Sequence, residues 1–171
     1  MDQPIVITGF MGAGKTTVAD ALARLLTCSA IDLDQMITEK EMRSPKEIIE
    51  QDGEPVFREV ETRRLREALT LEPCGVIALG GGAWTVQRNR DLVVQHHCYT
   101  VWLDAPFELC WQRIVAGEGE RPLATNEEQA RLLYAERRHF YELASTHLIA
   151  DGGMSVDELA ALIAGAIFKT E

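Results

Sequence analysis

Basic residues are in short supply. The 171-residue chain carries 17 Lys and Arg against 27 Asp and Glu, a formal net charge of −10. That balance argues against a protein whose main role is to grip nucleic acid or an anionic membrane surface. It leaves room for a small anionic ligand, which needs only a local positive pocket. Cysteine is also sparse: Cys28, Cys74, Cys98 and Cys110 are the four. None belongs to a Cys-x-x-Cys pair, so neither a zinc site nor a redox dithiol is indicated. They read as small buried thiols in a reducing compartment. Long apolar runs are missing too. The longest spans the ten residues from Leu159 to Phe168, against roughly 20 for a membrane helix. The first residues are acidic and polar and lead straight into a strand-like run, so no signal peptide is expected. No linker, charge block or internal repeat divides the sequence. Residues 1–171 are therefore read as one domain of a cytoplasmic protein.

What is present is an alternation of short β-branched runs with helical spacing. Strands are predicted at Pro4–Thr8, Ser29–Leu33, Gly75–Leu79, Cys98–Leu103 and His147–Ala150. Helices are predicted from Lys15, from Ser44-Pro45 to Glu50, from Pro55 to Leu69, from Pro106 towards Val115, over Asn126–Ala144 and over Ser155–Phe168. Gly117–Thr125 is polar and punctuated by Gly and Pro, which predicts an exposed loop. Such alternation implies an α/β fold, a mostly parallel sheet with helices on both faces. Ligands bind such sheets beyond the C-terminal ends of the strands, and each chemically suggestive motif falls just after a strand.

Gly9-Phe10-Met11-Gly12-Ala13-Gly14-Lys15-Thr16 fits G-x-x-x-x-G-K-[ST] without a mismatch. Glycines let successive backbone N–H groups turn inward on phosphate oxygens, and the helix that starts near Lys15 adds its positive end. Lys15 is expected to reach the β- and γ-phosphates, and the Thr16 hydroxyl to ligate Mg²⁺. The protein should bind a nucleoside triphosphate with magnesium. The alternative is a glycine-rich turn of purely structural use.

Three further features bear on the phosphoryl acceptor. Asp32 and Asp34 follow the second strand, two carboxylates that an extended segment would point the same way. One could sit near the metal while the other orients an acceptor hydroxyl and takes its proton. The plain alternative is a strand end with a helix cap. Gly80-Gly81-Gly82 after the third strand suggests close backbone approach and N–H groups offered to a carboxylate or phosphate. Arg58, Arg121, Arg137 and Arg138 could supply bidentate forks. For any one of them a surface ion pair competes, as between Glu54 and Arg58 at i,i+4 spacing.

Together these residues resemble the shikimate kinase family. The resemblance rests on G-F-M-G-A-G-K-T at residues 9–16, D-L-D at 32–34, G-E-x-x-F-R-x-x-E at 53–61 and G-G-G at 80–82. It continues with N-R at 89–90, R-P-L at 121–123 and R-x-x-x-Y at 137–141. It implies a three-layer α/β/α P-loop kinase fold like that of the nucleoside monophosphate kinases. The sheet would have five parallel strands in order 2-3-1-4-5, with a substrate-binding helical segment over about 33–61 and a mobile lid over about 117–125. It implies transfer of the ATP γ-phosphate to the 3-hydroxyl of shikimate, a step towards chorismate and the aromatic amino acids. Gly12, Ala13, Gly14, Lys15, Thr16, Thr17, Arg113 and Arg121 would bind nucleotide, with Arg113 stacking on adenine. Thr16 and Asp32 would serve Mg²⁺. Asp34, Arg58, Gly80, Gly81, Gly82 and Arg137 would bind shikimate. Asp34 would act as base, with Lys15 and Arg121 beside it in catalysis. The expected partners are ATP and shikimate alone, with no nucleic acid or membrane, and the protein is expected to be monomeric.

The sequence departs from the family pattern in places. Thr16 replaces the commoner Ser, Ile49 stands where many members carry Phe, and Arg138-His139-Phe140 replaces a run with Pro and Leu. Ala124 stands where a second Leu is common, and Asp151–Met154 lacks the Asn and Pro of the usual adenine loop. Two alternatives remain. One is a kinase for another polyhydroxy acid such as gluconate, disfavoured by F-R-x-x-E and R-P-L. The other is a non-catalytic nucleotide-binding regulator, disfavoured because Lys15, Asp34, Arg58 and Arg121 are all retained.

Overall fold

A computed structural model describes residues 3–71, 75–117 and 126–167. Five strands form one parallel sheet: β1 (Ile5–Thr8), β2 (Ala30–Asp32), β3 (Val76–Ala78), β4 (Tyr99–Asp104) and β5 (Thr146–Ile149). Their order is β2-β3-β1-β4-β5, as expected. β1 lies at the centre, with Ile5 in register with Val76 on one side and Tyr99 on the other. Its residues alternate between the two faces of the sheet and are all buried, which requires cover on both faces and accounts for the unbroken apolar run.

Among the described residues eight α-helices supply that cover. They are α1 (Lys15–Leu26), α2 (Leu33–Glu41), α3 (Pro45–Asp52), α4 (Glu54–Leu69), α5 (Gln87–Gln95), α6 (Phe107–Ala116), α7 (Glu127–Tyr141) and α8 (Val156–Ile167). α1 turns Val18, Ala19 and Leu22 inward, and α8 packs against it through Leu159, Ile163 and Ile167. α3 begins as its sequence dictates. Ser44 accepts from the Glu47 amide, Glu47 accepts from the Ser44 amide, and Pro45 takes the first helical position. None of these helices is long and apolar enough to cross a membrane.

Two local expectations need correction. The extended geometry assumed for Asp32 and Asp34 is absent. β2 ends at Asp32, whose carboxylate accepts from the Gln35 amide at 3.0 Å and caps α2. Asp34 therefore sits in a helical first turn, because a short acidic side chain at a strand end satisfies a free helical N–H better than a further strand residue would. The second miss is a 3₁₀ turn over Ala83–Thr85 followed by α5. The inward face of α5 includes Asn89 and Arg90 as well as Leu92 and Val93, so it shows no clean apolar stripe. Cys74 and Phe168, named above, lie outside the described residues.

Candidate active site

The loop after β1 curls back on itself. Gly9 has φ +143° and Gly12 +78°, and a Cβ would lie 2.5 Å from the Leu103 carbonyl oxygen at the first and 2.6 Å from that of Cys110 at the second. Only glycine fits either position. Gly14, in left-handed conformation, then caps α1 without a side-chain hydrogen bond to its first turn. Lys15 is nearly buried and donates from Nζ to the Phe10 carbonyl at 2.9 Å, so the ammonium is folded over the loop. Ala13 is buried at the turn, and Thr16 and Thr17 are exposed at the head of α1. Arg113 reaches from α6 and donates to the carbonyls of Gly12 and Ala13 at 3.2 and 3.1 Å, bracing the loop from behind.

The Thr16 hydroxyl donates to Asp32 Oδ2 at 2.5 Å. A hydroxyl and a carboxylate side by side are hard oxygen donors. They suit Mg²⁺, which takes few protein ligands and completes its shell with phosphate oxygens and water. No cluster of three or more His, Cys, Asp or Glu that could cage an ion exists among the described residues.

A second group of candidate residues is built around the three glycines after β3. A Cβ on Gly80 would lie 2.6 Å from Asp34 Oδ1, and one on Gly82 2.5 Å from Arg58 Nη2. On Gly81 it would lie 3.6 Å from Arg137 Nη1 and 3.1 Å from the Met11 amide nitrogen. Each glycine thus receives one charged side chain from a different helix: Asp34 from α2, Arg58 from α4 and Arg137 from α7. The last contact brings the turn against the loop after β1. The two halves of the site therefore abut.

Arg58 is held on both sides. Its Nη2 and Nε donate to Glu54 at 2.8 and 3.2 Å, and its Nη1 donates to both oxygens of Glu61 at 3.0 Å. The expected i,i+4 pair with Glu54 exists, and it coexists with a position in the pocket. Glu61 is 1% exposed. Burial pushes its carboxyl up to about 7; the Arg58 guanidinium opposes this and the Asp34 carboxylate adds to it. Desolvation alone would lower the Arg58 pKa, but Glu61 and Glu54 outweigh it and raise it.

Arg137 and Tyr141, four residues apart, share a face of α7. Arg137 is buried, and the Tyr141 hydroxyl donates to the Gly81 carbonyl at 2.5 Å. Burial raises the pKa of that phenol. Arg138 points elsewhere, with a fork on Asp104 at 2.8 and 3.0 Å and a bond to the Tyr134 hydroxyl at 2.8 Å. A cavity of about 310 Å³ opens beside Arg137, between Glu54 and the α7 residues Gln129, Leu132, Leu133 and Glu136.

Arg121 and the rest of 118–125, most of the expected lid, lie outside the described residues. Trp84 is 2% exposed and donates its indole N–H to the Phe140 carbonyl at 2.9 Å, so it packs the glycine turn onto α7. Sequence reasoning gave no role to Glu61, Asn89 or Arg90. The signal available for them was their presence in the F-R-x-x-E and N-R segments.

A sequence model described as "Shikimate kinase" matches residues 11–167. A curated shikimate kinase of Ruegeria pomeroyi is 34% identical, over 98% of this chain and 86% of that protein. The solved shikimate kinase of Acinetobacter baumannii, in complex with shikimate, superposes with a TM-score of 0.90 at 35% identity, covering 99% of this chain and 95% of that one. That of Bacteroides thetaiotaomicron superposes at 0.87 with 28% identity, covering 97% and 98%. With the phosphate loop, the glycine turn and the three charged side chains docked on it, these matches make the chain a member of the shikimate kinase family.

Proposed function

We propose that the chain transfers the γ-phosphate of ATP to the 3-hydroxyl of shikimate, giving ADP and shikimate 3-phosphate on the route to the aromatic amino acids. The observation that carries this reading is the docking of Asp34, Arg137 and Arg58 on three consecutive glycines that touch the phosphate loop. Shikimate offers one carboxylate and three hydroxyls. Arg58 and Arg137 suit the carboxylate, since a guanidinium fork stays charged and binds it in two places. Asp34 suits the hydroxyl. It accepts the hydrogen bond, orients the oxygen towards the γ-phosphorus and takes the proton as the O–P bond forms and ADP leaves.

The phosphate side needs no covalent chemistry. The loop amides and Lys15 hold the triphosphate in line and offset its charge. When bound, Mg²⁺ would neutralise charge that develops on the phosphates during transfer. Thr16 and Asp32 would hold it. Arg113 already braces the loop carbonyls, and its stacking on adenine rests on the resemblance. Arg121 is assigned to the transferring phosphoryl group on the same ground. The reading carries with it a cytoplasmic monomer whose partners are small molecules.

The test is product identity. Phosphorus NMR of a reaction with Mg²⁺, ATP and shikimate should show ADP and one new phosphate monoester, coupled to the proton on carbon 3. A monoester on another carbon, or inorganic phosphate in its place, would contradict the assignment.

A further inference from the structure

We propose that Asn89 is a positioning residue for the acceptor carboxylate. From α5 it fixes the distance between the Gly80–Gly82 turn and the Arg58 guanidinium. The inference rests on the function proposed above.

Asn89 is fully buried. Its Nδ2 donates to the Ala83 carbonyl at 2.9 Å and faces Glu61 Oε2 at 3.5 Å, and its Oδ1 accepts from the Thr62 hydroxyl at 2.7 Å. Only this orientation of the amide works, because its reverse would set an oxygen against two acceptors. Ala83 directly follows Gly82, the glycine against which Arg58 rests. Glu61 grips Arg58 Nη1 with both oxygens. The contacts therefore close a ring from Gly82 through Ala83, Asn89, Glu61 and Arg58 back to Gly82. The Thr62 hydroxyl divides its one proton between Asn89 Oδ1 and the Arg58 carbonyl, the latter at 2.9 Å, which ties the backbone of Arg58 to the same amide.

Arg90, the next residue of α5, reinforces the turn. It donates to the Trp84 carbonyl at 2.5 Å and lies 5.3 Å above the Phe140 ring. Two successive carbonyls after the glycine turn are thus held by two successive residues of α5. No atom of Asn89 needs to touch the acceptor. It acts by holding the guanidinium and the glycine amides in one geometry, and small displacements of such groups weaken a bidentate contact strongly.

The experiment measures KM for shikimate and for ATP in the wild type, Asn89→Asp and Thr62→Val. Asn89→Asp keeps the shape but sets a carboxylate oxygen against the Ala83 carbonyl and Glu61. Thr62→Val removes the proton that Oδ1 shares with the Arg58 carbonyl. The expected result is a shikimate KM raised roughly tenfold or more in Asn89→Asp and about threefold in Thr62→Val, with the ATP KM within about twofold in both. Should Asn89→Asp not fold, Thr62→Val decides by the same ratio. Unchanged shikimate KM values, or equal rises in both KM values, would overturn the inference and leave the kinase reading intact. A wild type with no shikimate-dependent turnover would overturn the kinase reading and the inference with it.

Discussion

The two halves of the site are held by different physics. The phosphate loop is eight contiguous residues, and its shape is set by backbone: left-handed glycines, a helix start, and carbonyls braced by Lys15 and Arg113. The acceptor half is drawn from α2, α4, α7 and the turn after β3, and its shape is set by buried side-chain charge: Arg58 between two glutamates, Glu61 under Asn89, Tyr141 on Gly81. A backbone cradle serves any triphosphate. A charged, partly desolvated pocket is selective, because a ligand lacking the matching carboxylate leaves buried groups without partners. On the proposed function, generic binding sits on the loop and acceptor identity on the side-chain lattice.

Substitutions can break this division. The largest effect is expected at Asp34, the proposed base. Asp34→Asn should lower kcat by roughly 10²–10⁴, the usual worth of a positioned base, and leave ATP affinity within about threefold. Stopped-flow turnover with equilibrium nucleotide binding checks both. Gly12→Ala should damage the nucleotide half alone. Its Cβ would lie 2.6 Å from the Cys110 carbonyl oxygen, so the ATP KM should rise about tenfold or more with the shikimate KM nearly fixed. Arg58→Lys should do the reverse and raise the shikimate KM by roughly 10- to 100-fold, since an ammonium cannot reproduce the fork. If Gly12→Ala moved the shikimate KM, or Arg58→Lys the ATP KM, the division would be wrong.

The smallest effect is on stability and sharpens the electrostatic part. The Glu61 carboxyl stands at about 7 in the fold against an ordinary 4.5. Between those values the folded chain keeps a proton that the unfolded chain has lost, so wild-type stability falls as pH rises through that window. Glu61→Gln cannot titrate. The melting temperature of the wild type relative to this variant should fall between about pH 4.5 and pH 7 and level off above. A flat difference would mean that Glu61 is ionised throughout.

The same contrast explains what could be read from sequence. The strands and the phosphate loop were legible because local rules govern them: β-branched runs, glycine spacing and helix starts. The sheet order was implied only by the family resemblance. The Ser44-Pro45 start of α3 was legible for the same reason. α5 was not, because burying Asn89 and Arg90 erases the apolar period by which a helix is recognised. The relation of Asp34 to Asp32 was misread because capping overrode strand geometry. The R-x-x-x-Y spacing to Tyr141 singled out Arg137 over Arg138 through the resemblance, and Arg137 indeed turns to Gly81 while Arg138 turns to Asp104. Glu61 was visible as a letter in a motif. Its role depends on a buried lattice that spans α4 and α5.

The most direct measurement of the central claim is a coupled ADP-release assay with MgATP and either shikimate, gluconate or no acceptor. The account predicts rapid release that depends on shikimate, with gluconate close to the acceptor-free background. Release driven by gluconate, or equal release in all three reactions, would contradict the assignment of Arg58, Arg137 and Asp34 to a shikimate pocket.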